Sequence, residues 1–238
     1  MTKMYVESTD LTSIANAIRA KTEGVTPLEF PGDFVSEIGG ISGGFDVTDA
    51  KYFFLGGSRV DMMPQIFERF KNCPSFYQTW KQAFFTTSAQ LSTTGIDFSQ
   101  ASTYQEAFCE NGGLTSLDLS MMNRITGMSN FNSAFKGCSG LTRLAIGHFG
   151  AGVSDSNFSF YNTSALTELI ILGTEGIFAL TGDYATFNSG IASGTCQIYV
   201  PDTLVSSYKT ATNWSRFSSQ IHGLSEYPGT PWWDAANQ

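Results

Sequence analysis

One short phrase occurs twice in this chain and limits the possible folds more than any other feature. Ala107–Phe108, followed by Leu114–Leu117, is matched by Ala134–Phe135, followed by Leu141–Leu144. Both anchors move by 27 residues, from 107 to 134 and from 114 to 141. Self-similarity at a period of about 20 to 50 residues is typical of a stacked array, in which each unit buries its apolar face against its neighbours. The sequence therefore predicts tandem structural units.

Each unit is predicted to contain one short strand. Side chains alternate along an extended chain, so Leu117 and Leu119 lie on the same face. Fainter copies lie on both sides. Ala83–Phe84 stands 24 residues before Ala107–Phe108, Ile96–Ser99 stands 21 residues before Leu117, and Leu166–Ile171 begins 25 residues after Leu141. Phe67–Phe70 is a degenerate first copy. This irregular step predicts a loose coil with insertions in its loops.

The composition is apolar and poor in charge. Of 238 residues, 42% are hydrophobic and 14% are charged, whereas an average soluble domain has about 25% charged residues. A net charge of −8 argues against nucleic acid as a partner, because phosphate binding needs clustered Lys and Arg. No apolar run reaches the roughly 18 residues that span a bilayer, and the first ten residues lack the apolar core of a signal peptide. We expect no membrane insertion and folding in a cytoplasm.

The cysteines are predicted to be structural. Their spacing contains no CxxC pair that would indicate zinc, and two of them follow the repeated Ala-Phe phrase in equivalent loops; the four are Cys73, Cys109, Cys138 and Cys196. We expect small buried thiols, rather than disulfides or metal ligands.

The first forty residues form a different kind of segment, with two short helices predicted by apolar spacing. So short a segment buries too little surface to be stable alone. It either closes one end of the repeat array or anchors the chain to another subunit or protein. In the second interpretation its docking residues are Leu11, Ile14, Ile18, Phe30 and Phe34.

The C-terminal region is predicted to end the array. Ile198–Val200 reads as a final strand stopped by Pro201, and residues 202–217 have near-helical apolar spacing that suits a helix covering the last coil. An extended aromatic tail follows. Three interpretations remain open for it: an arm against its own domain, a docking arm for a neighbouring subunit, or a sugar-stacking surface. The residues concerned are Tyr227, Trp232 and Trp233.

No residue pattern indicates catalysis. His148 and His222 lack metal-ligand spacing, and no GxSxG elbow or phosphate-binding loop is present. Asp155 and Asn157 lie in a Gly/Ser-rich loop, where a solvated turn is favoured over calcium binding because the calcium-loop pattern is absent. We therefore predict neither enzymatic activity nor a cofactor.

Three segments carry a family resemblance. Leu11–Thr22, continuing through Pro27–Phe34, resembles the opening module of tail-associated and minor structural proteins of phages and prophages of Gram-positive bacteria. The repeats resemble BspA-like leucine-rich repeats of bacterial surface proteins and phages, and Ile198–Pro201 is similar to the end unit of that family. Gly147–Ser159 departs from the pattern, being rich in Gly and Ser. The resemblance implies a virion protein that attaches through its N-terminal module.

These observations predict an α+β fold: an irregular leucine-rich-repeat solenoid, with a short strand per 21–27-residue coil, and a small N-terminal helical module. The expected domains are an anchoring module (1–40), a Gly-rich linker (41–49), a solenoid with a C-terminal capping helix (50–223) and an extended aromatic tail (224–238).

The expected function is that of a phage structural protein of the tail tip, baseplate or fibre, located in the virion and assembled in the bacterial host cytoplasm. Its expected partners are other virion proteins, further copies of itself, and a host cell-surface glycan or protein. Two alternatives remain: a capsid decoration or head-fibre protein, and a bacterial surface adhesin.

Overall fold

The computed structural model describes residues 48–56, 67–68, 70–84, 88–120, 122, 129–147, 149, 152–182 and 188–233. All of them belong to the second of two units into which the chain divides, Val47–Gln238. The predicted anchoring module and most of the predicted linker lie outside the described residues.

The described residues form a mixed α/β structure with mostly parallel strands and few helices. Its strands, in chain order, are β1 (Ala89–Ser92), β2 (Leu114–Leu119), β3 (Ser129–Asn130), β4 (Arg143–Ile146), β5 (Val153–Asp155), β6 (Glu168–Ile171), β7 (Gln197–Val200) and β8 (Ile221–Gly223). One parallel sheet has the order β1-β2-β4-β6-β7-β8, and β3 pairs with β5 in a second parallel sheet. Consecutive strands of the main sheet are thus direct neighbours.

The register of the main sheet places one apolar side chain of every strand in line. Leu117 pairs with Leu144, which pairs with Leu169. The line also includes Leu91 in β1, Ile198 in β7 and Ile221 in β8. The steps along it are 26 (91 to 117), 27 (117 to 144), 25 (144 to 169), 29 (169 to 198) and 23 (198 to 221). The 27- and 25-residue steps predicted between β2, β4 and β6 are confirmed.

Ile96–Ser99, the predicted fainter copy of Leu117–Ser120, is not the strand that pairs with β2. Leu91, not Ile96, pairs with Leu117. The similarity of the two phrases comes instead from a local turn: the Asp97 carboxylate accepts the Ser99 N–H at 3.0 Å, as the Asp118 carboxylate accepts the Ser120 N–H at 2.9 Å. A short polar side chain that caps the backbone two residues on produces this motif with or without a preceding strand of the sheet.

Five segments, which we call the aromatic turns, precede successive strands or fill the corresponding place in the chain. They are residues 50–56, 76–83, 104–111, 131–138 and 156–163. Backbone N–H groups of each of the first four turns donate to carbonyls of the next turn; Trp80 donates to Ala107 at 2.8 Å, and Phe108 donates to Ala134 at 2.9 Å. Trp80 is therefore the counterpart of Phe108, and the prediction that Ala83–Phe84 is the upstream copy of Ala107–Phe108 is wrong.

Aromatic rings stack through the core from turn to turn. Trp80 lies 4.8 Å from Phe108, with ring planes 3° apart, and Phe108 lies 6.0 Å from Phe135. The same stack continues to the first and fifth turns through Phe54 and Phe160. A second stack joins Phe76, Tyr104 and Phe131 at 5.8 and 4.8 Å. Because offset-stacked rings bury large apolar areas, these two stacks hold neighbouring turns at a fixed spacing.

The aromatic turns contain paired left-handed residues that are mostly not glycine. In each turn two residues four apart have a positive φ; the pairs are Tyr52 and Gly56, Gln78 and Gln82, Glu106 and Glu110, Ser133 and Gly137, and Phe158 and Asn162. Such residues cost roughly 1–3 kcal/mol each unless the surroundings fix them. Here the backbone bonds to the next turn and the stacked rings on either side supply that constraint.

Polar side chains in the interior connect neighbouring turns. Asn111 is fully buried; its Nδ2 donates to the Trp80 and Phe108 carbonyls at 2.8 and 2.7 Å, and its Oδ1 accepts the Phe84 N–H at 2.7 Å. In the next turn Cys138, 27 residues on, donates from Sγ to the Phe108 carbonyl at 3.0 Å. The two side chains do the same work: each supplies a hydrogen to a carbonyl of the preceding turn.

The predicted burial of the cysteines is confirmed, because Cys73, Cys109, Cys138 and Cys196 are all buried. Burial raises the pKa of Cys138 to about 12 and that of Cys109 to about 11. Both thiols are therefore protonated near neutral pH, and Cys138 can act as a donor.

The C-terminal prediction needs two corrections. Strand β7 is not the last strand, because β8 pairs with it in parallel, with Ile198 beside Ile221. Residues 202–217 are not one helix: a 3₁₀ turn (Asp202–Leu204) leads into helix α2 (Val205–Thr210), and a second 3₁₀ segment (Ser215–Gln220) follows. Helix α2 ends because Ala211 is extended. Asn213 then has a φ of 66°, and the next residue, Trp214, donates from Nε1 to the Phe178 carbonyl at 2.5 Å. Helix α1 (Gly190–Ser193) lies before β7.

Gly147 ends β4 where two backbone segments lie too close for a side chain. Its N–H donates to the Leu119 carbonyl at 2.9 Å, and a Cβ there would lie 2.6 Å from the carbonyl oxygens of Leu119 and Ser120. We expect Gly147→Ala to lower the free energy of unfolding by about 2 kcal/mol, because the clash is with backbone that must move. Chemical denaturation followed by circular dichroism measures this loss.

Gly229→Ala is the matched control. A Cβ at Gly229 meets no atom within 4 Å, so the substitution should cost only about 1 kcal/mol, from its positive φ. Equal losses for the two variants would show that the close approach at Gly147 is not tight.

Candidate binding surface

The structure leaves the first set of predicted docking residues untested. Leu11, Ile14, Ile18, Phe30 and Phe34 all lie outside the described residues. Their proposed role in attachment stays a prediction from the sequence.

The predicted aromatic tail packs on the main sheet of its own chain. Trp233 is only 4% exposed and belongs to a small apolar cluster with Ala145, Ile170, Leu172 and Tyr199. Tyr227 and Trp232 are half-buried at its margin. The Tyr227 hydroxyl donates to Glu168 Oε2 at 3.3 Å, and the Arg143 guanidinium lies 5.7 Å from the Trp232 ring. Trp233 therefore serves to cover the sheet, whereas Tyr227 and Trp232 keep some accessible surface.

A small polar residue stands directly before each aromatic turn, and together these residues form a row. Asp49, Ser75, Thr103, Asn130 and Asp155 each accept, through a side-chain oxygen, the N–H two residues further on, at 2.8–3.3 Å. Ser75 and Thr103 also form a parallel bridge, as do Thr103 and Asn130. The row advances by 26, 28, 27 and 25 residues, from 49 to 155. These steps are a sequence signal that the leucine and phenylalanine pattern did not reveal.

An open groove of about 520 Å³ runs across the first three aromatic turns at this row. Corresponding positions in consecutive turns line it, namely Lys51, Tyr77 and Gln105, two residues after Asp49, Ser75 and Thr103. Its other walls include Tyr52, Ser75 and Thr103. The Tyr52 and Tyr77 rings are 5.4 Å apart and nearly perpendicular, at 74°. The groove thus combines exposed ring surface with hydroxyl and amide groups.

One charge pair lies beside the groove. Glu106 Oε2 lies 2.6 Å from Lys81 Nζ and accepts Gln78 Nε2 at 2.9 Å. Burial lowers the pKa of Lys81, but the hydrogen bond and negative charge of Glu106 outweigh that effect and raise the pKa overall. The Glu106 carboxylate is therefore neutralised by its own neighbours, and adds little negative potential to the groove.

Asp155 holds three segments together. Its carboxylate accepts the Asn157 N–H at 2.8 Å, Thr181 Oγ1 at 3.0 Å and Asn132 Nδ2 at 3.0 Å. Burial raises the pKa of Asp155, but these hydrogen bonds favour the charged form and lower it overall. Its oxygens have structural partners, which favours the predicted turn over calcium binding.

The lowered pKa of Asp155 predicts a stability loss in acid. A group whose folded-state pKa is depressed stabilises the fold above its unfolded-state pKa, near its ordinary 3.8, and loses that contribution as pH falls through the folded value. We expect the unfolding free energy of the native chain to fall more steeply below about pH 4 than that of Asp155→Asn. Denaturant titrations across this range measure both slopes, and parallel slopes would contradict the assignment.

Further searches of the described residues add no site. No group of three or more His, Cys, Asp or Glu side chains is placed to hold a metal ion. Within the same residues, no helix has the length and apolar character needed to cross a membrane. No protein-family model, curated protein or solved structure matches the chain.

Proposed function

We propose that this chain is a structural component of a phage particle, at its tail tip, baseplate or fibre. In this proposal the parallel strands and aromatic turns form an irregular leucine-rich-repeat solenoid, which binds the host surface or braces neighbouring subunits. The N-terminal segment fixes it to other virion proteins, and further copies associate through the same residues. The phage resemblance of Leu11–Thr22 and Pro27–Phe34 motivates the particle assignment.

The observation that carries the solenoid proposal is the continuous register of the main sheet. From Leu91 to Ile221 each strand of the main sheet pairs with the strands of that sheet that come before and after it in the chain, while β3 and β5 pair with each other. The aromatic turns repeat that relation, because each of the first four donates backbone hydrogen bonds to the next turn. Contacts limited to neighbouring units are the physical definition of a repeat array.

The use of the polar interior supports a structural rather than a catalytic role. A catalytic thiol needs a depressed pKa, whereas burial raises the pKa of Cys138 to about 12. Asn111 and Asp155 have donors and acceptors that a reaction could use. These groups form hydrogen bonds to the backbone and to neighbouring side chains instead. These groups stabilise the contact between turns and leave the exposed surface to bind partners.

Immunogold electron microscopy of purified particles tests the proposal. We expect antibody against residues 48–233 to label one end of the tail. Label spread over the head would favour a decoration or head-fibre protein, and label on uninfected cells alone would favour a bacterial surface adhesin; either result would overturn the tail assignment. Particles made with a chain that begins at Gly44 should lose the label if the N-terminal segment is the anchor, and unchanged labelling would contradict that role.

A further inference from the structure

We propose that the groove across the first three aromatic turns is a binding site for a neutral saccharide. This inference rests on the proposed function, because it names the chemical class of host-surface ligand that the chain would take. The residues that carry it are Lys51, Tyr52, Ser75, Tyr77, Thr103 and Gln105.

Two tyrosines provide the stacking surface. Tyr52 is 47% exposed, more than any other large apolar side chain among the described residues, and Tyr77 is half-buried. The Tyr52 N–H donates to the Tyr77 carbonyl at 3.1 Å, so the backbone fixes one residue against the other before any ligand arrives. A tyrosine side chain presents an apolar ring face with a polar hydroxyl at its tip. A pyranose, whose C–H groups form an apolar face and whose hydroxyls lie around the rim, matches both features.

The polar groups of the groove can complete the hydrogen bonds of such a ligand. The Ser75 and Thr103 oxygens already accept backbone N–H groups, and a hydroxyl that accepts one bond still has its own hydrogen to donate. The Tyr77 hydroxyl likewise accepts Gln78 Nε2 at 3.0 Å and retains its hydrogen. Gln105 adds an amide that both donates and accepts. Sugar hydroxyls need this mixture.

The charge of the groove selects a neutral ligand. Among the described residues that line it, Lys51 is the one Lys or Arg side chain, whereas phosphate and sulfate recognition usually needs several cationic groups or an arginine fork. The nearby Glu106 carboxylate is paired with Lys81. A polyanion therefore gains little here, and the Glu106 carboxylate does not present an unpaired negative charge to the groove.

The backbone of the groove argues against an added peptide strand. The Phe76 and Gln78 N–H groups donate to the carbonyls of Thr103 and Gln105 at 2.9 and 3.1 Å. Peptide recognition by strand addition needs an open row of main-chain groups, and here the next turn uses them. Neighbouring strands lie about 4.8 Å apart, so three turns offer roughly 10 Å, enough for one or two sugar rings.

Isothermal titration of the full chain with four hexasaccharides tests the proposal. The probes are β-1,4-linked glucose, β-1,3-linked glucose, α-1,4-linked glucose and β-1,4-linked N-acetylglucosamine. We expect at least one to bind with a Kd of about 0.1–1 mM. Tyr77→Ala should weaken that binding by at least about tenfold, because it removes both the apolar ring face on which the sugar would stack and the hydroxyl at its tip. Gln105→Ala should weaken it about threefold by removing one hydrogen bond.

Tyr161→Ala is the control, since this half-buried tyrosine belongs to the fifth aromatic turn, outside the groove. It should bind the same probe with unchanged affinity. The inference is wrong if no probe binds at up to about 10 mM, a concentration that would reveal even weak contacts. It is also wrong if Tyr77→Ala, shown by circular dichroism to be folded, binds as the native chain does. Particle labelling fails or succeeds independently of these titrations, so the two proposals can be rejected separately.

Discussion

Replacing Trp80 with alanine should lower the free energy of unfolding by about 4–5 kcal/mol, the upper range for loss of a buried aromatic side chain. Trp80 is fully buried, and its ring stacks on Phe76 and Phe108 with planes 4° and 3° apart. Truncation removes the contacts of two neighbouring turns at once and leaves a cavity that stacked rings cannot easily fill. Urea denaturation followed by far-ultraviolet circular dichroism measures the loss.

Trp80→Phe is the matched control, because phenylalanine occupies the corresponding position in the other four aromatic turns. The indole N–H of Trp80 has no hydrogen-bond partner among the described residues, so its removal sacrifices no polar contact. We expect a clearly smaller loss than for alanine, because phenylalanine keeps a ring in the stack and leaves only the volume of the second indole ring unfilled. If alanine and phenylalanine cost the same, stacking at this position does not stabilise the core.

Strands β2, β4 and β6 were predictable because their signal is local. Alternation places Leu117 and Leu119 on one buried face, and the same pattern at Leu144 and Leu169 recurs at steps that match the observed register. Strand β8 was missed because it has only three residues, Ile221–Gly223, and the alternation of a pattern this short is weak. It is a strand because it pairs with β7, which lies more than twenty residues earlier in the chain, so the nearby sequence does not indicate the pairing.

The aromatic turns were misaligned for a different reason. The motif Ala-Phe was matched by residue identity, which selected Ala83–Phe84, although the stack places Trp80 opposite Phe108. Ring stacking tolerates exchange of Trp and Phe, so shape is preserved where identity is not. The positive φ angles at Gln78, Glu106 and Phe158 also leave little trace, because glycine is the usual indicator of that conformation.

The candidate groove joins residues that the sequence separates. Lys51, Tyr77 and Gln105 are 26 and 28 residues apart and meet only because consecutive turns lie side by side. The C-terminal aromatics were recognised because Tyr227, Trp232 and Trp233 are close in sequence and visibly unusual. The sequence did not distinguish an arm packed on its own domain from a docking arm or a sugar-stacking surface. Packing on β4, β6 and β7 depends on an apolar sheet face that is formed by residues distant in the sequence.

The second large effect concerns Asn111, whose exchange for aspartate alters little volume. We expect Asn111→Asp to lower the free energy of unfolding at neutral pH by about 3–5 kcal/mol, the range for an uncompensated buried charge. The introduced carboxylate would still accept the Phe84 N–H, but its second oxygen would face the Trp80 and Phe108 carbonyls that Nδ2 now serves. Denaturant titrations of the variant and the native chain, repeated over a series of pH values, measure the difference in their unfolding free energies.

That difference should shrink in acid. Burial and two facing carbonyls favour the neutral form of the introduced carboxyl, so its pKa in the folded chain lies above its unfolded value of about 3.9. A raised pKa stabilises the folded variant fully below the unfolded value and loses that contribution as pH rises through the folded value. The protonated group could donate to one carbonyl and restore part of the lost bonding. Comparing the variant with the native chain at each pH cancels the titration of Asp155 and other shared carboxylates.

Cys138→Ser is the control, because serine keeps a neutral donor toward the Phe108 carbonyl at the corresponding position. Its difference from the native chain in unfolding free energy should not change between about pH 4 and 7. A constant difference for Asn111→Asp as well would mean that the site admits water, and that the buried amide does not bind the turns together as its contacts indicate.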